Sequence, residues 1–68
     1  MRNIVRELRK QRGWSQAKLG EFLGIARQSV NAIETGKHHP SLPLAFELAK
    51  LFDRRVDHVF FPEEETNL

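Results

Sequence analysis

Sixty-eight residues hold one domain at most, and a core of that size is marginal without good helix packing or a partner. The chain has no cysteine, which excludes disulfides, thiolate zinc sites and cysteine nucleophiles, and no apolar run approaches the roughly 20 residues of a membrane span. The net charge of +2 hides a division: residues 1–40 carry eight lysines and arginines against three glutamates, and residues 41–68 carry three against six acids, so one face suits a polyanion and one end turns away from it.

The N-terminal MRNIVRELRK lacks the apolar stretch of a signal peptide, and a soluble cytoplasmic protein is expected. A first helix is predicted over Asn3 to Arg12, with Ile4, Val5 and Leu8 on its buried side, Asn3 as cap and Gly13 as stop. Arginines and Lys10 crowd the rest of it. Trp14 is expected half in the core with its indole N–H near the surface. Ser15 should cap a second helix that Gln16 opens. A helix N-terminus favours a phosphate, and the Gln16 amide adds a donor, so Gln16 is a phosphate-contact candidate.

The stretch Gln16 to Thr35 reads as two short helices around a tight turn. Leu19, Phe22 and Leu23 recur at i, i+3, i+4. Gly20 lies inside this helix, where its missing side chain allows the next helix to cross closely. Gly24 ends it, and Ile25 should plug the turn. Val30 and Ile33 face inward from the third helix. Its outward face is Arg27, Gln28, Asn31 and Ala32. Arginine can fork onto guanine O6 and N7, and glutamine or asparagine onto adenine N6 and N7. This is the spacing of a helix-turn-helix followed by a base-reading face. Ser29, Lys37 and His38 join Gln16 as phosphate-contact candidates.

Gly36 stops the third helix, and Pro40 closes the loop after it. The three histidines, His38, His39 and His58, have no metal-site spacing, so no metal is expected. Ser41 should cap a fourth helix with Pro43 in its first turn and Leu44, Leu48, Leu51 and Phe52 on one face. A short fifth helix is predicted from Val56, Val59 and Phe60. Pro62 ends any helix, and residues 62–68 read as an acidic, mobile tail to a domain of residues 1–61. The predicted core is Leu8, Leu19, Leu23, Ile25, Val30, Ile33, Leu48 and Phe52, in an all-α fold with no sheet.

The runs LRKQRGWSQAKLGEFLG, RQSVNAIETGKHHPSL and LAKLFDRRVDHVF resemble the Xre/Cro/C1-type helix-turn-helix family, which includes the phage lambda repressor-like proteins. The resemblance spans about Val5 to Phe60. It implies a compact five-helix DNA-binding domain, acting as a dimer on a two-fold-related site, with no cofactor. It also implies an ion pair between Arg9 and Glu34 that ties helix 1 to helix 3. Ala26 departs from the pattern, because the family commonly caps the recognition helix there with Ser or Thr. Ala32 departs as well, leaving only an apolar touch on a thymine methyl.

The expected function is a sequence-specific DNA-binding transcriptional regulator, a repressor, working as a homodimer on double-stranded DNA. Val56, Phe60 and Phe61 are the dimer candidates, because they exceed what one closing turn can bury. The alternative is an antitoxin or co-regulator module that binds a protein partner through helix 5 or the tail. Enzyme chemistry is not expected: no Ser/His/Asp set, paired carboxylates or glycine-rich phosphate loop is present.

Overall fold

Capping chemistry divides the chain into its helices. In the computed structural model, which describes residues 1–62, a two-residue strand β1 (Arg2–Asn3) precedes α1 (Val5–Gln11). Ser15 then starts α2 (Gln16–Leu23), its hydroxyl accepting the Lys18 backbone N–H at 3.0 Å. Gly24, at φ 72°, ends α2 in the left-handed region. The helix α3 (Arg27–Glu34) follows after the three residues Gly24, Ile25 and Ala26, with Ala26 at the cap position and no side chain taking its first N–H groups. Ser41 starts α4 (Leu42–Leu51), accepting the Leu44 N–H at 3.3 Å. A 3-10 turn (Val56–His58) leads into β2 (Phe60–Phe61).

The helices close around one core. Leu19 of α2, Val5 and Leu8 of α1, Val30 and Ile33 of α3, and Leu48 of α4 are all buried, with Phe52 and Val59 beneath them. Apolar area withdrawn from water is the main favourable term here, at about 1.5–3 kcal/mol for each fully buried large aliphatic side chain. The most extensive helix contact is between α2 and α3. It is close because Gly20 has no side chain: a Cβ there would lie 2.6 Å from the Ile25 carbonyl oxygen. The neighbours are thus the turn and the start of α3 rather than the body of that helix. The Ile25 N–H donates to the Gly20 carbonyl at 2.9 Å, which fixes the turn against α2.

Several expectations are corrected. The described residues contain four α-helices, not five, because the segment after Asp53 forms only a three-residue 3-10 turn. It is too short to nucleate an α-helix, and its Val and Phe residues favour extended backbone. The expectation of no sheet is also overturned. β1 and β2 pair antiparallel, with Arg2 opposite Phe61 and Asn3 opposite Phe60, and the Ile4 N–H donates to the Val59 carbonyl. Asn3 is therefore a strand residue and Ile4 the cap of α1, although the Asn3 carboxamide still accepts the Val5 N–H at 3.0 Å.

Leu23 and Ile25 are only partly buried, and Phe22 is 48% exposed, leaning edge-on against Trp14 at 4.8 Å between ring centroids. Phe60, expected on a dimer surface, is 5% exposed and belongs to the monomer's own core, because strand pairing turns it inward. Val56 and Phe61 are half-buried. Of the acidic tail, residues 63–68 lie outside the described residues.

The close approach at Gly20 makes a sharp prediction. Gly20→Val should destabilise the domain by about 1–3 kcal/mol through overpacking against backbone that cannot yield cheaply. A thermal midpoint equal to that of the unmutated chain would refute the close approach.

Candidate nucleic-acid interface

One buried carboxylate organises this surface. Glu34, at the end of α3, has a side chain only 2% exposed. Arg9 of α1 meets it twice, Nε to Oε2 at 2.7 Å and Nη2 to Oε1 at 3.2 Å. The third face of the guanidinium donates from Nη1 to the Trp14 carbonyl at 2.8 Å. Arg9 itself is buried. The planar fork of arginine matches a carboxylate in this way, and lysine could not make both contacts and the third. α1, the loop before α2, and α3 are thereby joined at a single point.

The same carboxylate reaches α2. Gln16 Nε2 donates to Glu34 Oε1 at 3.1 Å and to Asn31 Oδ1 at 3.1 Å. Both donors of the Gln16 amide are therefore turned toward α3. Around this network the packing is aromatic and cationic. Trp14 is half-buried and lies 5.7 Å from Phe52, with the Arg12 guanidinium 5.4 Å from the Trp14 ring centroid.

The face of α3 opposite its core side carries Arg27, Gln28 and Asn31, all exposed, with Ser29 and Ala32 half-buried. Glu34 is the sole acid of α3, and its burial leaves this face without negative charge. The structure thus brings Gln16, Asn31, Glu34 and Arg9 into contact, with Arg27 and Gln28 in the first turn of α3. Lys37 and His38 are exposed in the loop that follows, their backbone N–H groups both donating to the Ala32 carbonyl. Among the described residues no group of three or more histidine, aspartate or glutamate side chains could hold a metal ion, and no helix is long and apolar enough to cross a membrane.

Two participants escaped the sequence reading. The pairing of Gln16 with Glu34 and Asn31 spans an interhelical distance that no local spacing encodes. Asn3 is the other: its Nδ2 donates to the Ile33 carbonyl at 2.9 Å, fastening β1 to the end of α3. A short polar residue flanking an apolar pair is the hint the sequence holds, and it points equally to a cap.

Two short helices joined by a glycine-ended turn, with a basic and amide-rich second helix, define a helix-turn-helix domain. Comparison with known proteins agrees. The Helix-turn-helix family model HTH_3 matches residues 5–59. The chain is 51% identical over 65 residues to YgzD, an HTH-type transcriptional regulator of Bacillus subtilis, covering 96% of this chain and 98% of that protein. It is 38% identical to the HTH-type transcriptional regulator MJ0272 of Methanocaldococcus jannaschii, with 96% and 98% covered. Among solved structures, the restriction-modification controller protein C.AhdI of Aeromonas hydrophila superposes with a TM-score of 0.73 at 34% identity, over 82% of this chain and 85% of that one. The chain belongs to the Cro/C1-type helix-turn-helix family of transcriptional regulators, a DNA-binding and non-enzymatic class.

Burial of the ion pair sets the expected cost of breaking it. Glu34→Gln leaves the Arg9 charge largely buried without its counter-charge and should cost about 3–5 kcal/mol. That is a large share of the roughly 5–15 kcal/mol that holds a domain together. Thermal or urea unfolding measures it, and a loss below about 1 kcal/mol, the size seen for exposed pairs, would contradict the geometry.

Proposed function

We propose that this protein is a sequence-specific transcriptional repressor that inserts α3 into the major groove and binds a two-fold-related operator as a homodimer in the cytoplasm. The observation that carries the reading is the face of α3, where Arg27, Gln28 and Asn31 are exposed and the one acid of the helix is buried. N-terminal residues of a recognition helix meet base edges, and arginine and amide side chains are the best readers of purines there. Lys37 and His38 follow as phosphate contacts, with Ser29 at the edge of α3. Repression needs only occupancy of the site.

Support for a second copy is both thermodynamic and structural. One recognition helix reads too few base pairs to single out a genomic site. Two related by a two-fold axis double the site and lie about 34 Å apart. With Phe60 buried, the dimer surface moves to α4, where Leu42 is 67% and Phe46 57% exposed beside half-buried Val56. These residues border an open apolar groove of about 890 Å³. Large exposed apolar side chains clustered on one face mark an interaction surface, and an isologous contact would cover both copies at once.

Selection of bound duplexes from random DNA should return a symmetric site with half-sites about one helical turn apart. One chain per site and no symmetry would exclude the dimer. Arg27→Ala or Gln28→Ala should cost about 1–3 kcal/mol and relax preference at one or two base pairs, whereas Lys37→Ala should weaken all sequences alike and flatten the salt dependence. Phe46→Ser should shift sedimentation toward the monomer at concentrations where the unmutated chain associates. An unchanged profile would remove α4 from the interface.

A further inference from the structure

The groove along α4 joins apolar side chains to a basic margin, and the chain itself runs to its edge. Exposed Leu42 and Phe46 and half-buried Val56 line one open space of about 890 Å³, and Lys50, Arg54 and Arg55 line it with them. Arg55 is engaged by Asp57 at 3.0 Å. Lys50 and Arg54 are exposed and pair with no acid among the described residues. Pro62, the last described residue, lines the same groove. The sequence that follows it, Glu63, Glu64, Glu65, Thr66, Asn67 and Leu68, has three carboxylates in a row and one large apolar side chain.

We propose that residues 63–68 dock in the α4 groove of their own chain, with the glutamates against Lys50 and Arg54, and there compete with a second copy for that surface. The competition rests on the reading of α4 as the dimer surface, and the docking itself does not. Six extended residues reach about 20 Å. The helix rises about 12 Å between Leu42 and Lys50, at about 1.5 Å per residue, so the segment is long enough to run the length of the groove. Each exposed charge pair is weak, but attachment at Pro62 holds the glutamates at high effective concentration beside the cations. A second copy has to be immobilised from solution, and its own α4 carries one acid, Glu47. The pairs weaken as salt screens them. Two copies held on adjacent half-sites gain effective concentration of their own and displace the tail. The tail thus keeps free protein apart and leaves assembly to the DNA.

The test uses the full chain and a variant carrying Glu63→Gln, Glu64→Gln and Glu65→Gln, which keeps the length of the tail and removes its charge. At concentrations where sedimentation shows single copies, the backbone amide resonances of Phe46, Lys50 and Arg54 should differ between the two proteins at low salt. The difference should shrink as salt is raised. Changing Lys50→Glu and Arg54→Glu together should move the resonances of residues 63–68, and adding Glu63→Lys, Glu64→Lys and Glu65→Lys should restore them. Groove resonances that ignore the loss of tail charge would overturn the docking. Sedimentation over a concentration series then reads the competition. The glutamine variant should associate about three- to tenfold more tightly than the unmutated chain at low salt, and equally at high salt. Its greater net positive charge opposes association, so a gain has no general electrostatic source. Weaker association in the variant would place the tail in the partner's groove and overturn the competition. If neither protein pairs even on DNA while the groove resonances respond, the dimer reading fails and the docking stands, which is a distinct outcome.

Discussion

The Arg9–Glu34 pair is the constraint on which the rest of the domain depends. Taking two charges out of water is expensive, and attraction offsets the loss only with close geometry and every remaining hydrogen-bonding site filled. Here the guanidinium has three polar contacts and the carboxylate has three, counting the Gln16 amide. No buried side-chain polar atom is left without a partner among the described residues. A pair satisfied to this degree specifies one arrangement of α1, α2 and α3. A purely apolar contact at the same place would tolerate sliding.

Function follows from where this places charge. Burying the acid of α3 leaves its outer face basic and amide-rich, while Lys37 continues the same character into the loop. The two most exposed large apolar side chains among the described residues lie elsewhere, on α4, where Lys50, Arg54 and Arg55 border the groove with Leu42 and Phe46. Arg55 is engaged with Asp57 in an exposed two-point contact. Within residues 41–62, Lys50, Arg54 and Arg55 therefore give the groove a basic margin. A second copy would have to present apolar surface and acids to that margin, and Glu47 on the same helix is exposed.

Much of this was legible from residue types. The serine caps, the glycine stops and the i, i+3, i+4 repeats located all four helices, because capping and amphipathic burial are local in sequence. The exposed, acid-free outer face of α3 was equally plain from Arg27, Gln28 and Asn31. Misreadings arose where long-range contacts override local signals. The Val56–Phe61 segment carries helical spacing, yet pairing with Arg2 and Asn3 draws its end into a strand and buries Phe60. Phe22 has the spacing of a core residue but packs edge-on against Trp14 at the surface, where Lys18 lies 5.5 Å from its ring centroid. The exposure of Phe46 was invisible because α4 is apolar on more than one side, and only tertiary packing decides which side is covered. The contacts of Gln16 with Glu34 and Asn31 were hidden for the same reason.

The most direct test of the account is the coupling between Arg9 and Glu34, measured by a double-mutant cycle with Arg9→Met, Glu34→Met and the double variant under equilibrium unfolding. Each single change should be costly because it strands a buried charge, and the double change should be far less costly than their sum. The account predicts a coupling of about 2–3 kcal/mol. Additive losses of less than about 1 kcal/mol each would mean that the charges are solvated independently and that the domain is organised around something else.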